Sequence, residues 1–126
     1  VIEFRAVGAP VPQGSMKVIN GHVLHSQGSA LAVWRSAIAW AAKQAGATIS
    51  DQPIDITMVF IMQRPKSVKR PLPSVAPDLD KLVRGVLDAL TGIAYADDSQ
   101  VVSIHAHKIY GATPGVEVRL AEKIIG

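Results

Sequence analysis

Between Pro77 and Leu90 the chain combines two patterns that folding alone gives little reason to combine. Leu79, Leu82, Val83, Val86, Leu87 and Leu90 recur at i, i+3, i+4, i+7, i+8 and i+11, the apolar stripe of a buried amphipathic helix. Asp78, Asp80 and Asp88 share that stretch, and Asp97-Asp98 follows just beyond it, so five of the seven aspartates crowd one region. Placing acids beside core does not help a chain fold, whereas binding a divalent cation gives them a purpose. The remainder of the chain then reads as scaffold and substrate grip.

Helix geometry restricts how these acids can cooperate. Two residues apart on a regular helix, Asp78 and Asp80 would point about 160–200° apart. They can share a ligand only if Asp78 is a non-helical N-cap that turns back beside Asp80, which the preceding Pro77 favours. The site would then sit at the positive end of the helix dipole, which suits carboxylates and substrate phosphate alike. Thr91-Gly92 is expected to end the helix. Asp97-Asp98 stands before an expected strand, where successive side chains face opposite ways, so one of the pair can join the site while the other faces away.

Three carboxylates with open positions for water are ligands for a hard cation, Mg2+ or Mn2+. Such an ion would activate water and stabilise charge on a phosphodiester being cut. Arg84, one turn after Asp80, is placed to clamp a phosphate oxygen; its structural alternative is an i, i+4 pair with Asp80 or Asp88. The aspartates have structural alternatives too, Asp78 as a plain helix cap and Asp97-Asp98 as a turn. His105 and His107 share a strand face, but without cysteine or a nearby third ligand they read as solvated histidines rather than a zinc site.

Taken in order, Val1 to Val7 alternates as a half-buried strand, and Gly8 to Met16 reads as loop. Lys17 to His25 can form a short hairpin about Asn20-Gly21, either simply solvated or a basic flap over a phosphate backbone. Ser29 is a candidate N-cap for a helix to about Ala45, with Leu31, Trp34, Ile38, Ala41, Ala42 and Ala45 on one face and Gly46 past its end. Trp34 and Trp40 are expected to pack rather than to stack on bases. Pro53 to Gln63 is the clearest strand, and Val59 and Ile61 on its second face make it a central one.

The segment from Gln63 to Pro77 holds four prolines, the cations Arg64, Lys66, Lys69 and Arg70, and no acid. Proline excludes helix and central strand, and the segment reads either as a solvated, mobile loop or, because it ends at Asp78, as a phosphate-contacting arm that delivers backbone to the acids. Strands are expected at Gln100 to Ile109 and from Val116 to Leu120, with a turn from Tyr110 to Gly115 between them. The expected fold is therefore α+β: a mixed sheet of about four to five strands with two main helices packed on it, in one domain spanning 1–126.

The formal charge is +3, from 13 basic and 10 acidic residues. With Asp78, Asp80 and Asp98 neutralised by metal, 13 basic groups would face 7 acids, a net of +6, which suits a polyanionic partner. Cysteine is absent, there is no run near the ~18 apolar residues of a membrane span, and no signal peptide is expected ahead of Val1. A cytoplasmic setting without membrane association is expected.

At these residues the sequence resembles the RusA-type Holliday junction resolvases, small and often prophage-encoded endodeoxyribonucleases. The likeness runs through Asp78-Leu79-Asp80, Leu82, Asp88-Ala89-Leu90 and Tyr95-Ala96-Asp97-Asp98-Ser99-Gln100-Val101-Val102, and on to Lys108. It is convincing over the second half and agrees only in layout over the first. The resemblance implies an α+β homodimer that nicks four-way DNA junctions symmetrically with Mg2+, leaving 5′-phosphate and 3′-hydroxyl ends. It assigns the essential aspartates to Asp78, Asp80 and Asp98. The family's lysine falls on Arg84, which keeps the charge but fits phosphate clamping better than proton transfer. Lys81, where the family often has asparagine, is another source of an amine. Lys17, Arg64, Lys66, Lys69, Arg70, Lys81 and Lys108 are the expected DNA contacts.

Two other functions fit the same residues. One is a junction-binding protein with degenerate catalytic activity, suggested by Arg84 and the divergent N-terminal half. The other is a metal-dependent phosphoryl-transfer enzyme for small phosphates, which the basic Arg64–Arg70 loop disfavours because a small substrate needs no such arm.

Overall fold

A computed structural model describes residues 1–14, 16–19, 22–25 and 28–123. Strands β1 (Ile2–Val7), β4 (Ile54–Met62), β5 (Val101–Tyr110) and β6 (Gly115–Glu122) form one mixed sheet in the order β1-β6-β4-β5. β6 runs antiparallel to both β1 and β4, while β4 and β5 are parallel. The expectation for the 53–63 stretch holds: β4 is flanked on both sides, and Ile54, Ile56, Met58 and Phe60 are fully buried on its inner face. A parallel pair needs a crossover, and α2 (Leu79–Leu90) supplies it between β4 and β5. β2 (Met16–Ile19) and β3 (His22–His25) make a separate antiparallel hairpin, pairing Ile19 with His22. The expected turn at Asn20-Gly21 lies outside the described residues.

The two helices lie against the inner face of the sheet. From α1 (Gly28–Gln44) come Trp34, Ile38 and Ala42, and from α2 come Leu82, Val86, Ala89 and Leu90, closing on β4, β6 and Ala6 of β1. Burying a leucine or valine side chain contributes about 1.5–3 kcal/mol, and the helical spacing on α2 allows Leu82, Val86 and Leu90 to do so together. The result is the expected α+β class, with four strands in the main sheet and two helices.

Two expectations on α1 change. The helix already includes Gly28, so Ser29 lies in its first turn rather than ahead of it. Trp34 is 3% exposed and packs near Gly8, but Trp40 is 65% exposed. Trp40 stands outside the stripe set by Leu31, Trp34, Ile38 and Ala42, and the 100° step of the helix turns it away from the sheet.

Candidate functional site

The start of α2 is built as the acids require. Asp78 is the N-cap in an extended conformation, φ −68° and ψ 138°, and its carbonyl accepts the first helical bond from the Leu82 amide at 3.1 Å. Its carboxylate makes no capping hydrogen bond and stays exposed, with the Lys81 ammonium 3.5 Å away. Asp80 is exposed in the first turn. Free amides at a helix start and the positive end of the dipole favour both carboxylates. The exposed Lys81–Asp78 pair contributes little to stability.

Asp98 is presented differently from the extended chain expected before β5. Asp97 caps a 3-10 turn, Asp98–Gln100, and accepts from the Ser99 amide at 2.9 Å. Gln100 completes a capping box by accepting from the amides of Asp97 (3.0 Å) and Ala96 (2.9 Å). Its own amide donates to the carbonyls of Ser50 and Gln52, tying the turn to the entrance of β4. The spacing Asp97-x-x-Gln100 is a capping-box signal in the sequence itself. The Ser99 amide holds the Asp97 carboxyl below the usual carboxylate range, so Asp97 is committed to the turn. Asp98 opens the turn, exposed.

Tyr95, three residues before Asp98, is tied to α2. Its buried hydroxyl donates to the Leu87 carbonyl at 2.7 Å. Burial pushes the phenol well above the ordinary tyrosine range, and the carboxylates of Asp98 and Asp88 push the same way. Leu87 is seven residues beyond Asp80, about 10 Å along the helix axis. Among the described residues no three histidine or carboxylate side chains gather closely enough to enclose a metal ion. The donor chemistry of Asp78, Asp80 and Asp98 still fits a hard cation: all three are exposed carboxylates, and Mg2+ takes one or two carboxylates and keeps several waters.

The 63–77 loop is anchored rather than free. Arg64 stacks on the Tyr110 ring with its guanidinium carbon 4.8 Å from the ring centre. Arg70 donates to the Tyr110 hydroxyl at 2.9 Å. Lys108 donates to the carbonyls of Val75 (2.8 Å) and Pro77 (2.9 Å), which fixes the chain just ahead of Asp78. Arg70 and Lys108 are half-buried, whereas Lys66 and Lys69 are exposed. Lys17 falls on β2, and its side chain lies outside the described residues. No sequence pattern pointed to Tyr110 as the post for this loop; its contacts span up to 46 residues along the chain.

On the other flank of α2, residues 11–14 cross the helix. The Gln13 amide donates to the Lys81 carbonyl at 3.1 Å, and its side chain donates to Asp88. Asp88 is therefore the partner of Gln13, not of Arg84. Among the described residues Arg84 forms no ion pair with Asp80 or Asp88, and its exposed guanidinium lies beside Gly14. His105 and His107 are exposed on β5, and His105 approaches the carboxylate of Asp55 at 3.9 Å.

Fold and site together define a small two-layer α+β protein that presents acids at a helix start beside an anchored cationic loop. The family model described as Endodeoxyribonuclease RusA matches residues 8–121, and the chain belongs to that family. It is also similar to a Bacillus subtilis (strain 168) protein described as uncharacterized protein YqaN, 32% identical over 136 aligned residues that cover 96% of each chain. Membership implies endodeoxyribonuclease activity of the Holliday junction resolvase type and binding to junction DNA, in a family generally dependent on divalent metal. Among the described residues no helix is long and apolar enough to cross a membrane.

Proposed function

We propose that this chain is a Mg2+-dependent, structure-specific endodeoxyribonuclease that resolves four-way junctions by paired symmetric nicks, in DNA recombination and repair. The observation that carries the reading is the Asp78 cap: an extended residue with an uncapped carboxylate, two positions from Asp80, at the positive end of α2. Asp78, Asp80 and Asp98 would hold Mg2+, or Mn2+ in its place. The ion supplies a polarised water and stabilises charge on the phosphate being cut.

The chain's own cations then position the DNA. Arg84, one turn beyond Asp80 and exposed, clamps a phosphate oxygen with its planar guanidinium. Lys66 and Lys69 meet the backbone directly, and Arg64, Arg70, Lys81, Lys108 and Lys17 add to the attractive field. Binding of this kind weakens steeply with salt. A two-fold dimer would present two equivalent sites to the two-fold related strands of a junction. Val33 and Trp40, seven residues apart on one side of α1 and both exposed, support a second copy packing there. The absence of cysteine suits work in the cytoplasm.

A second reading, a junction-binding protein with degenerate activity, is favoured by the spread of the three acids and by Arg84 at the position of the family lysine. One experiment separates the two: a labelled four-way junction and a matched duplex, incubated with Mg2+ and wild-type or Asp80→Asn protein. Paired nicks in the junction alone are expected, with Asp80→Asn binding normally but cutting at least about 100-fold more slowly, equivalent to about 2.7 kcal/mol of lost transition-state stabilisation. Binding without cleavage in Mg2+ or Mn2+ would favour the second reading. Normal cutting by Asp80→Asn would remove the metal assignment. A monomeric mass in sedimentation under cutting conditions would remove the dimer.

A further inference from the structure

The loop between β4 and α2 holds an apolar residue out in solvent on a fastened support. Leu72 is 57% exposed between Pro71 and Pro73, in a segment whose neighbours are tied down. Pro73 is buried, and the Ser74 amide bonds back to the Leu72 carbonyl at 2.8 Å. Arg64 donates to the Pro71 carbonyl at 3.4 Å while stacking on Tyr110, Arg70 bonds the same tyrosine, and Lys108 grips Val75 and Pro77. Single exposed leucines are common and need no purpose. A leucine held between two prolines, with both shoulders clamped and cations on its N-terminal side, has had its conformational freedom removed in advance, which is what insertion into a partner requires.

Leu72 also stands near the first residue of α2. It shares the wall of a groove of about 370 Å³ with Leu79 and Lys108, the first residue of α2 and the residue that fixes Pro77. A side chain there would meet nucleic acid at the place where the backbone reaches Asp78 and Asp80. Proteins that distort duplexes insert leucine, isoleucine, methionine or phenylalanine between base steps, at a cost of a few kcal/mol per step. That cost is lowest where stacking is already interrupted, as at the branch point of a junction.

We propose that Leu72 is a wedge that enters the unstacked branch point of junction DNA and so sets the preference for branched over linear duplex. This rests on the junction-binding reading above. The wedge adds an apolar contact that only an interrupted stack accepts, while Lys66 and Lys69 hold branched and linear backbones alike.

The test uses the full chain in EDTA, to prevent cutting, with a four-way junction carrying 2-aminopurine at the branch point and a linear duplex carrying the same base. Wild-type protein is expected to raise the fluorescence of the junction and not of the duplex. Leu72→Ser should lose that rise and bind the junction about tenfold more weakly, or about 1.4 kcal/mol, with duplex binding unchanged. Leu72→Met, apolar and of similar volume, should restore both. The wedge is overturned if Leu72→Ser keeps the fluorescence rise, if junction and duplex binding fall together, or if the variant alters the sedimentation mass, which would make Leu72 an interface residue. A wild-type protein with no preference for the junction would instead refute the junction-binding reading itself, and the wedge with it.

Discussion

Gln13 donates its side-chain amide to the carboxylate of Asp88 across 75 residues of sequence, while its backbone amide holds the Lys81 carbonyl. These two bonds fasten the N-terminal segment along the flank of α2 that carries Lys81 and Arg84. The other amide atom, Oε1, is buried and has no partner among the described residues, so only the donor side of the group is satisfied.

Removing this tie leaves a half-buried carboxylate without its donor. Gln13→Ala should cost about 1–3 kcal/mol in urea unfolding, and Gln13→Glu more, because two carboxylates then face each other. The exchange of Gln13→Glu with Asp88→Asn rebuilds the bond with donor and acceptor reversed. A double-mutant cycle is expected to return a favourable coupling of about 1–2 kcal/mol. Strictly additive effects would mean that the contact does not hold the segment.

Gly85 lies under the same crossing. A methyl group there would meet the Val11 carbonyl oxygen at 3.5 Å and the Gln13 Cβ at 3.8 Å, both ordinary contact distances. Glycine in a helix interior is about 1 kcal/mol less favourable than alanine. Gly85→Ala is therefore expected to stabilise the protein by up to about 1 kcal/mol, read as a higher melting temperature. A lower one would show that residues 11–14 tolerate no addition beneath them.

Tyr95 predicts an alkaline limit. Its pKa is raised in the folded state by burial, so the unfolded chain ionises first. The stabilisation from the neutral phenol is complete below about pH 10 and is lost above it, at up to about 1.4 kcal/mol per pH unit. Tyr95→Phe loses the bond to Leu87 and should be about 1 kcal/mol less stable near pH 8. That deficit should shrink as pH rises above 10 and reverse near pH 11. A deficit independent of pH, measured by denaturant unfolding at each pH, would contradict the buried phenol.

The sequence alone determined the parts whose cause is local. The stripe from Leu79 to Leu90 produced α2, alternation from Ile54 to Phe60 produced the inner face of β4, and an aspartate directly ahead of the stripe, a favoured N-cap residue, took the extended cap at Asp78. The Asp97-x-x-Gln100 box is equally local, and it closes a 3-10 turn where an extended chain was expected before β5. Tertiary structure decided the rest. Gln13 meets Asp88, Tyr110 receives Arg64 and Arg70, and Lys108 secures Val75 and Pro77 because sheet order and helix packing bring distant segments together. The same packing left Trp40 outside the core. Helical periodicity says which residues share a face, but only the position of the neighbouring sheet and helix says which face is covered. The aspartates divide along this line: Asp78 and Asp80 are neighbours by sequence, whereas Asp98 is presented by a 3-10 turn that Gln100 ties to Ser50 and Gln52 across the fold.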